Sequence, residues 1–205
     1  MNAKKLSFLL LILVAVACTN RSTSSEQDEM RHWNNVLQQI NALLLENKAR
    51  QTLDLAKQTL PEILESAEKN GTTDTLIYYA RKIFNACGNN YINTKQYKDG
   101  IDYMDSIGNH PLIREHCPHE LLSFKAGLNQ LYGNNPEAVR LAEDYLQLPV
   151  CTSANDFIRQ AEIISGVYMY TGNNLPKAIQ ILEKAIDVYR KGGNFPNMLR
   201  IMSRL

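Results

Sequence analysis

The sequence predicts an all-α protein built as a stack of antiparallel helix pairs. A nine-residue pattern occurs three times, at residues 100–108, 138–146 and 178–186. Each copy opens on a small residue, has hydrophobic residues at its second and fourth places, and carries an acid at its sixth place. The copies begin 38 and 40 residues apart, and such a period is typical of solenoids, in which each repeat stacks on its neighbours.

Short turns are expected to separate the two helices of each pair. Two turns read Gly-Asn-Asn, at residues 133–135 and 172–174. Glycine and asparagine tolerate left-handed backbone angles, and Pro136 and Pro176 suit the first turn of the helix that follows. Small residues at 126–127 and 165–166 should let the helices of a pair approach closely where they cross.

The first pair is expected to be longer than the others. From Ala49 to Gly100 the interval is 51 residues, which exceeds one unit, so the surplus should lengthen the second helix of this pair. Residues 49–69 fit one long helix or two shorter ones. Because Thr59 to Glu62 resembles a capping box with Pro61 in the first turn, we expect a kink there.

The last eight residues repeat the apolar pattern of residues 161–167. We therefore expect another first helix to begin here and the natural chain to continue beyond Leu205 into further repeats or another domain. The alternative is a short capping helix over residues 197–205, since terminal repeats are often atypical.

The repeated pattern resembles the tetratricopeptide repeat (TPR). The best match lies in the last complete unit and runs through Ile164, Ser165, Tyr168, Ala178, Leu182 and Ala185. No copy has the full signature, and Asn129 stands where the family has an aromatic residue. The resemblance covers roughly residues 30 to 205. It implies a right-handed superhelical stack whose first helices line a concave groove for an extended peptide or a partner protein.

Four residues are candidates for lining that groove. They are polar or amphipathic and lie on first helices near the small residues at the crossing points: Asn90, Asn129, Gln130 and Tyr168.

The N-terminus resembles a bacterial lipoprotein signal peptide. Lys4 and Lys5 precede an apolar run over residues 6–17, which is shorter than the ~20 residues of a membrane-spanning helix. The resemblance implies cleavage before Cys18, a lipid anchor on Cys18, and a location in the periplasm or at the outer membrane. An ordinary secretory signal is the alternative. Residues 18–29 would form a flexible tether and residues 30–205 the repeat domain.

The charge balance argues against a nucleic-acid partner. Without residues 1–17 the 22 basic residues fall to 20 against 21 acidic ones, because Lys4 and Lys5 are removed. Nucleic-acid binding normally requires a basic excess, and export would separate the chain from such partners.

The remaining cysteines, Cys87, Cys117 and Cys151, are expected to be free thiols. Their number is odd, and Cys117 and Cys151 occupy equivalent places in adjacent units, farther apart than a disulfide spans. Cys87 should be a small core residue.

A group of potential metal ligands lies between the second and third units: His110, His116, Cys117 and His119. Their spacing does not specify a tetrahedral site. We expect a solvated loop here, with Pro111 and Pro118 as turn residues, and no metal or cofactor.

No motif points to catalysis, so we expect a binding protein rather than an enzyme. The repeated acids Asp105, Glu143 and Glu183 should lie on the solvated face of the second helices. An alternative is the N-terminal periplasmic sensor of a larger signalling protein, since the region resembles exported repeats fused ahead of histidine kinases or DNA-binding regulators. A glycan-capturing lipoprotein ranks last, because the chain has one Trp.

Overall fold

Helices account for nearly all of the described chain. The computed structural model describes residues 27–149, 154–171 and 174–192, and in these ranges the chain forms nine helices and no strand. The prediction of an all-α protein is confirmed. The predicted signal peptide with Cys18, Cys151, and residues 197–205 lie outside the described residues.

The helices alternate with turns of a few residues. Their bounds are α1, 27–45; α2, Ala49–Asn70; α3, Asp74–Asn93; α4, Tyr97–Ile107; α5, Pro111–His116; α6, Pro118–Tyr132; α7, Asn135–Gln147; α8, Ala154–Thr171; and α9, Leu175–Gly192. Residues 27–29 already belong to α1, so the helical region begins slightly before the predicted end of the tether.

The predicted helix–turn–helix units are present. Helix α3 packs against α4, α6 against α7, and α8 against α9. The first helix of each unit also packs against the preceding unit: α3 contacts α2, α6 contacts both α3 and α4, and α8 contacts both α6 and α7. Every described first helix after α1 therefore joins two units.

The apolar side chains of the described residues form two clusters that meet at α6. The first extends from Trp33 on α1 to Phe124 and Leu128 on α6. The second begins with Ala126 on α6 and extends to Ile186 on α9. Because α6 contributes to both clusters, the buried apolar layer continues from one unit to the next.

Local residue choice explains the turn between α6 and α7. Gly133 adopts a left-handed conformation, with φ of 97°, and its amide donates to the carbonyl oxygen of Gln130 at 3.1 Å. The next amide, that of Asn134, donates to the carbonyl oxygen of Asn129 at 2.8 Å. Pro136 lies in the first turn of α7, as predicted. These two hydrogen bonds give partners to carbonyl groups in the last turn of α6 that would otherwise have none within the helix.

Helix α2 is one continuous helix, and the capping box predicted at Thr59 is wrong. Its 22 residues compare with 11 in α4 and 13 in α7, so the predicted lengthening is confirmed. Pro61 lies inside the helix, and the Thr59 hydroxyl donates to the carbonyl oxygen of Leu55 at 2.9 Å instead of capping a new helix. Burial of Leu60, Ile63 and their neighbours holds the helix together through the proline.

The segment predicted as a solvated loop contains a short helix. Pro111 and Pro118 occupy the first turns of α5 and α6, where a missing amide hydrogen costs nothing. His110 caps α5, because its Nδ1 accepts a hydrogen bond from the amide of Leu112 at 3.2 Å. Leu112 and its neighbour Ile113 are buried, so tertiary burial stabilises a helix too short to persist alone.

Glycines let successive first helices approach closely. A Cβ added at Gly88 would lie 2.4 Å from ring atoms of Phe124 on α6, and one added at Gly127 would lie 2.6 Å from Cγ2 of Ile163 on α8. The predicted close approach therefore exists for Gly127, but its partner is the first helix of the next unit, not the second helix of its own pair. The adjacent Ala126 is buried in the second apolar cluster.

The repeated acids lie at the surface, with Asp105 and Glu183 exposed and Glu143 half-buried, and the first two also join units. Asp105 on α4 forms an ion pair with Lys125 on α6 at 2.5 Å, and Glu143 on α7 forms one with Lys177 on α9 at 2.5 Å. Glu183 on α9 is exposed. The solvated face was predicted, and the pairing with the following unit was not.

Candidate functional site

The four predicted groove residues all lie in the C-terminal halves of first helices, but most of them are buried. Asn90 on α3, Asn129 on α6 and Tyr168 on α8 have exposed fractions of 0%, 3% and 2%. Gln130 on α6 is half-buried. Sequence spacing located the helices correctly but did not reveal which of their faces the neighbouring units cover.

Asn129 uses both ends of its side-chain amide within the fold. Its Nδ2 donates to the carbonyl oxygen of Lys125 at 2.9 Å, and its Oδ1 accepts from Nδ2 of Asn134 at 3.0 Å. The second bond closes the turn between α6 and α7. Asn129 therefore stabilises the turn and offers little to a ligand.

Tyr168 belongs to a cluster that joins three helices. The Nζ of Lys177 lies 5.4 Å from the centre of the Tyr168 ring and forms an ion pair with Glu143. Burial, followed by the neighbouring Glu143 carboxylate, raises the pKa of Tyr168. The hydrogen bond from Lys177 lowers the pKa of Glu143. In this arrangement Tyr168 packs α8 against α7 and α9.

Asn90 uses one end of its side-chain amide within the described part of the chain. Its Nδ2 donates to the carbonyl oxygen of Ala86 at 2.8 Å, while its buried Oδ1 accepts no hydrogen bond from the residues that the structure describes. An unsatisfied buried acceptor costs about 1–3 kcal/mol. A donor supplied by water or by a ligand would remove that cost.

Asn90 lines a recess of about 340 Å³ between α3 and the turn that joins α1 to α2. We call it the Asn90 recess. Its lining residues are Leu44, Asn47, Lys48, Ala49, Asn90 and Asn93.

The Asn90 recess combines hydrogen-bonding groups with an apolar contact. Asn47, Lys48 and Asn93 are exposed, and Leu44 has 41% of its surface exposed. Lys48 is the N-cap residue of α2, but its side chain accepts no hydrogen bond from the first amides of that helix. The amide hydrogens in the first turn of α2 therefore have no side-chain partner at this edge of the recess. Amides, an ammonium group and an apolar side chain together suit the backbone and one side chain of an extended peptide.

A second recess, of about 180 Å³, lies over α6 and α8. We call it the Gly166 recess. Its lining residues are Ile92, Gly127, Gln130, Leu131, Glu162, Ile163, Gly166 and Tyr170. Tyr170 has 74% of its surface exposed, which is unusual for a large aromatic side chain. Gln130 lies here, so the structure does not bring it together with Asn90.

A third recess, of about 350 Å³, lies between α7 and α9 on the side of the second helices. Its walls are largely apolar and include Tyr145, Ile181 and Val188, with Lys184 and Asp187 at the margin. His119 also lines it, and Nε2 of His119 lies 2.7 Å from the carbonyl oxygen of Pro149. Nothing in the sequence pattern predicted this recess.

The potential metal ligands have separate roles. Nε2 of His110 lies 3.1 Å from the Glu68 carboxylate, the carbonyl oxygen of His116 accepts a hydrogen bond from Arg81, and Cys117 is buried. Across residues 27–149, 154–171 and 174–192, no three side chains of His, Cys, Asp or Glu form a group that could hold a metal ion.

Cys87 is a buried free thiol, as predicted. Burial raises the pKa of the Cys87 thiol to about 12. Its sulfur lies 3.8 Å from the hydroxyl oxygen of Tyr103. Since the reactive species is the thiolate, Cys87 is a packing residue rather than a nucleophile.

No protein-family model matches the chain, and no curated protein matches it significantly. Within the part of the chain that the structure describes, no helix has both the length and the apolar character needed to cross a membrane.

Proposed function

We propose that this chain is a non-catalytic, TPR-like scaffold that binds an extended peptide or a partner protein. The packing supports a stack of repeated units, because first helices contact one another in chain order, α3 with α6 and α6 with α8. A right-handed superhelix is what the resemblance to the TPR implies. The glycines at these contacts, Gly88 and Gly127, are 39 residues apart, and Gly166 follows after another 39. A constant spacing of equivalent contacts is expected of a repeat array.

The Asn90 recess, with its exposed donors, is the observation that carries the proposed binding function. Asn47, Lys48 and Asn93 are exposed at its walls, whereas Asn90 is fully buried. The carbonyl groups of an extended peptide could accept hydrogen bonds from these exposed donors. Main-chain hydrogen bonds of this kind give affinity for an extended peptide, and a contact with Leu44 would add selectivity for an apolar side chain.

We further propose export to the cell envelope with a lipid on Cys18. The positive residues, the short apolar run and the small residues before Cys18 support this assignment. Mass spectrometry of the N-terminal peptide from membranes should find acyl groups on Cys18, and Cys18→Ser should release the chain from the membrane fraction. A soluble chain with an unmodified Cys18 would contradict the lipid anchor.

An alternative role is the periplasmic sensor region of a larger signal-transduction protein. The resemblance of the repeats to exported repeats fused ahead of histidine kinases or DNA-binding regulators supports this alternative. Reading the coding sequence past Leu205 would decide. A membrane-spanning segment followed by a kinase or DNA-binding region would favour the sensor, and a stop codon would favour the scaffold.

Peptide selection tests the binding function. The full chain, purified in detergent and immobilised, is used to select binders from a phage-displayed library of random peptides. Each selected peptide is synthesised and titrated against Lys48→Ala and Asn93→Ala. Each variant removes about one hydrogen bond, worth ~1 kcal/mol, so the peptide Kd should rise about fivefold.

Lys98→Ala and Asn109→Ala are the matched controls, since both side chains are exposed and lie outside the Asn90 recess. They should leave the Kd unchanged. Failure to select any binder would count against the proposed function. Binders with the same affinity for all four variants would place the peptide site elsewhere on the surface.

A further inference from the structure

The recess between α7 and α9, which we call the α7–α9 recess, has an apolar body. Tyr145 and Leu146 line it from the end of α7, and Ile181 and Val188 line it from α9. Tyr145 and Ile181 are buried, and Leu146 and Val188 are half-buried. Its volume of about 350 Å³ lies within the range of pockets that hold small organic ligands.

Contacts with α6 fix one wall of this recess. Leu148 and Pro149 follow α7 and line the recess, and the carbonyl oxygen of Pro149 lies 2.7 Å from Nε2 of His119 on α6. The His119 ring also packs edge-to-face against Tyr145, with the ring centres 5.7 Å apart. Because these contacts tie α6 to the end of α7, a ligand would meet a wall that is already in place.

The other wall alternates apolar and basic side chains along α9. Ile181, Lys184, Val188 and Lys191 are three or four residues apart, which places them on one face of the helix. Both lysines are exposed at the margin of the recess. Asp187, an acid of the same lining, forms an ion pair with Arg190 at 3.0 Å. Its charge is therefore largely balanced, and the two ammonium groups make the margin positive.

Position within α9 distinguishes the two lysines. Lys191 lies in the last turn, where a cation complements the partial negative charge of the helix end. Lys184 lies more than two turns before the end of the helix at Gly192, and the effect of a helix end does not extend that far. Lys184 is therefore the better placed partner for an anionic group.

We propose that the α7–α9 recess binds a medium-chain fatty acid, with the alkyl chain against Tyr145, Ile181 and Val188 and the carboxylate at Lys184. Burial of the alkyl chain against the apolar walls supplies most of the affinity. The carboxylate stays at the exposed margin, so no charge has to be buried. The proposal does not depend on the peptide function, because the α7–α9 recess and the Asn90 recess share no lining residue.

Calorimetric titration with short fatty acids tests the proposal. The full chain carrying Cys18→Ser is used, so that neither detergent nor the proposed lipid competes for the acid. Octanoate should bind saturably at one site, about sixteenfold more tightly than hexanoate, because it buries two more methylene groups. Octan-1-ol has the same alkyl chain without the charge, and it should bind about fivefold more weakly than octanoate.

Two variants and a matched control locate the site. Lys184→Gln should weaken octanoate binding about fivefold and leave octan-1-ol unchanged, because it removes only the charge. Val188→Trp should weaken both ligands at least about tenfold, because the larger side chain displaces part of the alkyl chain. Lys98→Gln is the control, since Lys98 is exposed on the second helix α4 and lies outside the recess. Circular dichroism checks that each variant keeps its helical content.

Saturable octanoate binding that depends on Lys184 and Val188 would support the proposal. Absence of saturable binding would overturn it, and so would equal affinities for octanoate and octan-1-ol. Octanoate binding that neither Lys184→Gln nor Val188→Trp changes would place the ligand outside this recess and refute the assignment. Peptide binding at the Asn90 recess is read separately, through Lys48→Ala, so the two proposals can fail independently.

Discussion

Substitution of Gly88 by alanine measures how tightly successive units are packed. The new Cβ would lie 2.4 Å from two ring carbons of Phe124, whereas carbon atoms pack at about 3.5–4.0 Å. The ring has no free space for retreat, because Phe124 is fully buried and its ring centre lies 6.2 Å from that of Phe84 in an edge-to-face contact. Either the ring or the helix must therefore move.

Two opposing effects set the magnitude of Gly88→Ala. Alanine stabilises a helix interior over glycine by about 1 kcal/mol, and overpacking a core costs about 1–3 kcal/mol. Since the overlap is with a confined aromatic ring, we expect a net loss of about 1–2 kcal/mol in the free energy of unfolding. With typical urea dependences this lowers the unfolding midpoint by about 0.5–1 M, as followed by far-UV circular dichroism.

Gly100→Ala is the matched control. A Cβ there would lie 3.0 Å from Tyr91 and 3.1 Å from Leu128, which is tight but tolerable. The equivalent positions of the next two units already carry alanine. We expect a change within about 1 kcal/mol of zero, because helix propensity and crowding offset each other.

A second substitution identifies the cause of the Gly88→Ala effect. Phe124→Leu removes the ring, so the double variant should be about 1 kcal/mol more stable than the sum of the single effects predicts. If Gly88→Ala raised the midpoint, or if the two effects simply added, the proposed contact between α3 and α6 would be refuted.

Two further predictions concern buried ionisable groups. Arg81→Met should lower the free energy of unfolding by about 3 kcal/mol, because Glu120, with 2% of its side chain exposed, loses an ion-pair partner at 3.3 Å. The control Arg140→Met breaks exposed ion pairs and should cost below about 1 kcal/mol in the same urea assay. Equal losses for the two variants would contradict the role of burial. Burial raises the pKa of Cys87 from 9.0 to about 12, so the folded state holds this proton more tightly. Its contribution to stability is complete below pH 9.0 and is lost as pH rises toward about 12. Iodoacetamide should therefore leave native Cys87 unmodified at neutral pH and label it in urea, and rapid native labelling, read by mass spectrometry, would contradict its burial.

The helical units were predictable because their signals are local. Gly133, Asn134 and Pro136 form a turn through bonds within a few residues, and the apolar spacing marks the buried face of each helix. Local signals also misled at Thr59, where the same residues can start a helix or continue one. Burial of Leu60 against neighbouring helices favours one continuous helix over two, and a short-range sequence pattern does not contain that information.

The sequence by itself determined the repeat, the order of its helices and the glycines that recur every 39 residues. It could not determine which face of each first helix remains accessible, because that depends on the next unit. Tertiary structure buried Asn129 and Tyr168 and placed Asn90 beside Leu44 and Lys48, more than forty positions earlier in the chain. Helix formation depends on neighbours in sequence, whereas a recess requires surfaces brought together from distant segments, so only the packed chain decides where a ligand has room to bind.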